Sequence, residues 1–129
     1  MIVAMNNPTT ILYGIPNCDT VRKARAWLGE RGAAVQFHDF ARQGVPLESL
    51  GRWAAQLGYD ALLNRRGTTW RRLSPAEQQR ASDAAGACAL MQAHASLIRR
   101  PVVEWPDGRT TVGFDAQVWN ERLAAGSKP

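Results

Sequence analysis

Ile11, Leu12 and Tyr13 form a short apolar run that does not alternate, and Gly14 and Pro16 close it. An unbroken run of this length predicts a strand over 10–15, buried on both faces and so central in a sheet. Beyond it the period changes. Val21, Ala24, Trp27 and Leu28 recur at helical spacing, while Arg22, Lys23, Arg25 and Glu30 fall off that stripe. This predicts a helix over 19–31, ended by Gly32. Val35 to Phe40 then alternates as a second strand. A strand, a helix and a strand in this order make a βαβ unit, with parallel strands and a right-handed crossover.

The middle of the chain reads as helical. After a loop over 41–45, Pro46 fits the first helical position. Leu47, Leu50, Ala54 and Leu57 mark an apolar stripe that Gly58 stops, and Asp60 to Leu63 suggests a further turn. Residues 64–72 are polar, basic and contain Gly67, which predicts a loop. Ser74-Pro75-Ala76-Glu77 is a capping-box start for a short helix. Another helix is expected from Asp83 to His94, with Ala87, Leu90, Met91 and His94 on one side. A third strand begins between Arg99 and Trp105. Pro106-Asp107-Gly108-Arg109 signals a hairpin turn into an antiparallel fourth strand over 110–114. Asp115 can cap a last helix with Val118, Trp119 and Leu123 inward. Residues 1–9 read as a lead-in and 124–129 as a tail. The sum is one α/β domain over 1–129: a small four-stranded mixed sheet, flanking helices, and a helical insertion between strands two and three.

Composition narrows the function. At 45% hydrophobic and 21% charged over 129 residues, the chain suits a single globular domain. No apolar run is long enough to span a membrane, so no membrane role is expected. Met1 to Met5 lacks the basic and long apolar regions of a signal peptide. Two cysteines, Cys18 and Cys88, are no disulfide framework, and a reducing, cytoplasmic setting fits. The formal net charge of +5 is carried almost entirely by arginine, which suits planar oxyanions. The arginines are scattered, with neither a helix-turn-helix pattern nor an aromatic platform, so a nucleic-acid partner is not expected.

Chemistry concentrates at Cys18. A thiol between a strand and a helix lies beside the free N–H groups and positive end of that helix, which favours thiolate. Arg22 and Lys23 add positive charge within a turn. A lone cysteine at a strand end also packs as a small hydrophobe, and local chemistry leaves both readings open. Asn17 either orients a substrate oxygen or makes a turn, and Asp19 and Thr20 are caps or catalytic groups. Cys88 reads as core. His38 and His94 lack metal-ligand spacing, so no metal is expected. The tryptophans at 27, 53, 70, 105 and 119 read mostly as core. Trp70, in an arginine-rich stretch, could instead wall a groove.

Three stretches in order, Gly14-Ile15-Pro16-Asn17-Cys18-Asp19-Thr20, Arg66-Gly67-Thr68-Thr69-Trp70-Arg71 and Leu97-Ile98-Arg99-Arg100-Pro101-Val102-Val103, with Val112-Gly113-Phe114 closing, resemble the arsenate reductase/Spx family. The likeness is strongest to its YffB-like subgroup and implies a thioredoxin-like fold. It implies that Cys18 is the catalytic cysteine, that Arg100 helps hold an oxyanion, and that Pro101 is a cis proline facing the thiol. Asn17 joins Arg100 as an anion-binding candidate. Two further arginines that arsenate reductases use fall at Asn64 and Gly113 here, leaving Arg65 and Arg66 as candidates to bind the anion. Val21 stands where the Spx switch has a second cysteine. An outside thiol must then resolve an adduct on Cys18, and glutathione is the natural co-substrate, with no bound cofactor. The implied activity is thiol-dependent reduction of arsenate or of mixed disulfides. The alternative is a non-catalytic Spx-like regulator that binds RNA polymerase or another protein partner.

Overall fold

The first apolar run becomes strand β1 (Thr10–Gly14), and the helical stripe after it becomes α1 (Asp19–Glu30). The computed structural model describes residues 9–126. In chain order there follow β2 (Val35–Asp39), α2 (Phe40–Gln43), α3 (Leu47–Leu57), α4 (Tyr59–Leu62), α5 (Thr68–Arg72), α6 (Pro75–Gln79) and α7 (Ala84–Ala93). The chain closes with β3 (Val102–Glu104), β4 (Thr110–Val112) and α8 (Ala116–Gly126). These elements group into two units. One reaches Asp39 and resumes at Arg100; the other, the helical insertion, runs from Phe40 to Arg99.

The first unit holds the four-stranded mixed sheet, ordered β2-β1-β3-β4. β1 and β2 are parallel, with Gly14 opposite Asp39. β3 runs antiparallel to both β1 and β4. β1 is therefore central, as its unbroken apolar run predicts, and Leu12 and Tyr13 are both buried. Leu12 and Val103 pack against Val21, Ala24 and Leu28 of α1 and against Trp105 and Trp119. Burying each of these leucine and valine side chains contributes roughly 1.5–3 kcal/mol. Trp119 meets Trp105 edge-on at 5.2 Å and Trp27 at 5.8 Å, an arrangement aromatic rings favour. Trp105 Nε1 donates to Thr111 Oγ1 at 2.9 Å, so its polar atom is satisfied.

Asp115 caps α8 as expected, its carboxylate accepting from the N–H groups of Gln117 and Val118. Val118 is not inward: it is 36% exposed. Trp119 and Leu123, four apart, form the packed stripe, and Val118 lies one position off it. The helix also runs through 124–126, where a tail was expected. The expected lead-in over 1–8 and the tail end at 127–129 lie outside the described residues.

In the second unit several expectations change. Residues 40–43 form a helical turn rather than part of a strand and loop. Phe40 is buried with its ring 6.4 Å from that of Trp53, and Gly44 ends the turn by donating to the Phe40 carbonyl. Residues 68–72 form a helical turn where a loop was expected. Pro46 is the N-cap of α3, and the first helical residue is Leu47. The buried positions of α3 are Ser49, Leu50 and Trp53, while Leu47 is 50% exposed. Trp53, the largest apolar side chain of the helix, decides which face turns inward. Ser74 and Glu77 form the expected capping box at α6. Asp83 caps α7, which buries Ala87, Cys88, Leu90 and Met91. His94 ends that helix as its C-cap and is half-buried. Among the described residues no helix is long and apolar enough to cross a membrane.

Candidate active site

Gly14 ends β1, Pro16 and Asn17 make a turn, and Cys18 becomes the N-cap residue of α1, with extended φ −105° and ψ 126°. The thiol itself closes no side-chain cap. What the helix end offers is stabilisation of negative charge, because its first N–H groups have no helical partner.

Partial burial pushes the Cys18 thiol up. Acting against it are the Val21 N–H, the Arg100 guanidinium through both a hydrogen bond and its charge, and the Thr20 N–H. The balance falls below the ordinary cysteine value, so the site favours thiolate. The cation on the thiol is thus Arg100, far along the chain and carried just ahead of β3. Arg22 pairs instead with Asp19 one turn along the helix. That pairing gives Asp19 a structural task and takes Arg22 out of the role its spacing suggested.

The Arg100–Pro101 peptide bond is cis. The Pro101 carbonyl accepts from the Gly113 N–H at 2.8 Å, which ties the end of β4 to the start of β3. Gly113 itself has φ +85°, a conformation L side chains rarely adopt. An arginine at 113 would therefore be strained, which gives the departure at that position a backbone reason. Asn17 is exposed in the turn before the thiol.

Arg65 and Arg66 belong to the second unit, where their partners are local. Arg65 donates to Asp60 Oδ1 at 2.6 Å and to the Ala81 carbonyl at 3.3 Å, and lies over the Trp70 ring. Arg66 is exposed, and its N–H donates to Asn64 Oδ1 at 2.9 Å. Asn64 also donates its own N–H to the Leu97 carbonyl. Trp70 is half-buried in α5. Cys88 is 6% exposed, and burial pushes its thiol up, away from the reactive form. The free helix N–H groups that the sequence reading sets beside the thiol are those of Val21 and Thr20. Their signal was positional: with cysteine at the N-cap, the second and third helical residues present their N–H groups to it.

A model of the ArsC family matches residues 13–122. An uncharacterized protein of Haemophilus influenzae is 37% identical over 114 residues, which is 88% of this chain and 97% of that protein. Among solved structures, the YFFB (PA3664) protein is 46% identical with a TM-score of 0.85, spanning 89% of this chain and 99% of that one. An arsenate reductase (ArsC) related protein from Brucella melitensis is 40% identical with a TM-score of 0.67, over 89% and 94% of the two chains. The fold is thus the thioredoxin-like one of these relatives.

Proposed function

The chain belongs to the ArsC family, and on that footing we propose that it is a thiol-dependent reductase with Cys18 as nucleophile and glutathione as the resolving thiol. The observation that carries the reading is Cys18 at the N-cap of a twelve-residue helix, with the Arg100 guanidinium acting on its thiol. Such surroundings favour an attacking thiolate and supply a fork of donors for an anionic substrate. A reducing, cytoplasmic setting keeps that thiol available.

On a mixed disulfide the Cys18 thiolate attacks one sulfur, forms a disulfide to it, and expels the other as thiolate. Glutathione thiolate then attacks the transferred sulfur, takes over its disulfide bond and returns Cys18 as thiolate. On arsenate the thiolate displaces a hydroxyl from arsenic, which leaves as water once protonated. Glutathione thiolate next attacks the Cys18 sulfur, two electrons pass to arsenic, and arsenite leaves a Cys18–glutathione disulfide for a second glutathione to cleave. Arg100 and the exposed Asn17 are the groups assigned to the anion. With Asn64 and Gly113 at two oxyanion positions and Arg65 committed to Asp60, mixed disulfides are the favoured substrate.

The test is the pH dependence of Cys18 alkylation in a Cys88→Ala variant, followed by turnover of glutathione with a mixed disulfide or with arsenate. A thiol titrating well below about 8.5, protected by either substrate, and turnover lost in Cys18→Ser are expected. An ordinary, unprotected thiol without turnover would overturn the reading in favour of a partner-binding protein.

A further inference from the structure

Gly14 is not among the glycines with positive φ, so its backbone conformation is open to any residue. Space is what requires glycine. A Cβ at position 14 would lie 2.8 Å from Val21 Cγ2, 3.4 Å from Cγ1 and 3.7 Å from Cβ. Real Cβ atoms do not approach a neighbour as closely as the first of these. Val21 cannot readily give way. It is fully buried with Leu12, Ala24 and Leu28, and a β-branched side chain in a helix is confined to essentially one rotamer. The Val21 isopropyl group thus fills the room that the missing side chain leaves. The same residue presents the N–H that does most to favour thiolate at Cys18.

We propose that Gly14 is a positioning residue for Cys18: the absence of a Cβ seats the first turn of α1 on the end of β1 and so sets where the Val21 N–H lies relative to the sulfur. The inference rests on the reading of Cys18 as nucleophile. Filling the gap lifts Val21, and with it the first turn, away from the thiol. Arg100 sits outside that turn and is left to act alone. Removing the two γ-methyls of Val21 clears the collision while keeping its N–H.

The experiment compares Cys88→Ala alone with the same background carrying Gly14→Ala, and carrying Gly14→Ala with Val21→Ala. The readout is the rate of Cys18 alkylation across pH. In Gly14→Ala the profile should move to higher pH, lowering the rate near neutrality roughly tenfold, the size of one lost hydrogen bond to a charged group. The rate at high pH should not change. In the double variant the profile should return toward the parent. A folded Gly14→Ala protein with the parent profile overturns the proposal, as does a double variant that stays shifted. If Gly14→Ala does not fold, the double variant decides by the same criterion. A parent protein whose thiol titrates ordinarily sinks the nucleophile reading itself, whereas an unmoved Gly14→Ala profile beneath a depressed parent value sinks only this inference.

Discussion

At the scale of single residues, the site turns on a cysteine and an arginine separated by most of the chain. The guanidinium both bonds the Cys18 sulfur and sets a positive charge beside it. Arg100→Ala is therefore expected to slow alkylation near neutral pH roughly tenfold, the size of one charge-assisted hydrogen bond. Arg100→Lys keeps the charge but loses the planar fork, so it should fall between the two. Rates measured across pH separate a moved titration from a damaged fold, and a Lys variant as slow as Ala would show that the fork and not the charge matters. Gly113 works through its backbone. At φ +85° an added Cβ strains the chain, so Gly113→Ala should cost about 1–2 kcal/mol in urea unfolding. No change would mean that the turn between Pro101 and Gly113 can relax.

At the scale of elements, what was legible in the sequence followed from periodicity and local chemistry. The central strand announced itself by an apolar run without alternation, α1 by its stripe, and α6 by a capping box that needs only residues three apart. What was illegible depended on partners outside the element itself. The turn of α5 opens with two β-branched threonines and carries no apolar stripe. It is held by Arg71, which donates to the Arg66 carbonyl, by the Gln78 amide on the Trp70 carbonyl, and by the Thr69–Ser96 hydroxyl pair. On α3 a stripe through Leu47 and a stripe through Trp53 both fit the pattern, and only packing chooses. At the site, the cysteine and its helix end could be read locally, whereas the pairing with Arg100 needed the family resemblance, because the two meet through sheet topology. Gly86 gave no sign of its task either. A Cβ there would lie 1.8 Å from the Arg80 carbonyl oxygen, which the 3-10 turn over 80–82 brings against the start of α7. Gly86→Ala should thus cost about 3 kcal/mol through overpacking. Removing the neighbouring cap, in Asp83→Ala, should cost only about 1 kcal/mol. Urea unfolding of both variants checks the order, and an Asp83→Ala loss larger than that of Gly86→Ala would contradict it.

At the scale of the whole molecule, stability rests on buried cores rather than on surface charge. Ion pairs such as Arg52 with Glu48 and Arg31 with Glu30 are exposed, and such pairs contribute little. The two thiols are different, since their ionisation is coupled to folding, and they act with opposite signs. Cys18 is held below its ordinary value in the folded chain. Between that value and the unfolded one, about 8.5, the unfolded chain binds the extra proton, so stability rises with pH. The contribution is complete above about 8.5 and is lost as pH falls through the folded value. Cys88 is held above its ordinary value by burial. Its contribution is complete below about 8.5 and is lost as pH climbs toward the raised folded value. Unfolding midpoints measured in denaturant across pH should therefore give two signatures. Relative to the parent, Cys18→Ala should lose progressively more stability as pH rises from the lowered folded value to about 8.5, and Cys88→Ala should recover stability only above it. A Cys18→Ala difference independent of pH would mean that the thiolate is no better held in the folded chain than in the unfolded one, and the anionic site built by Arg100 and the head of α1 would lose its physical basis.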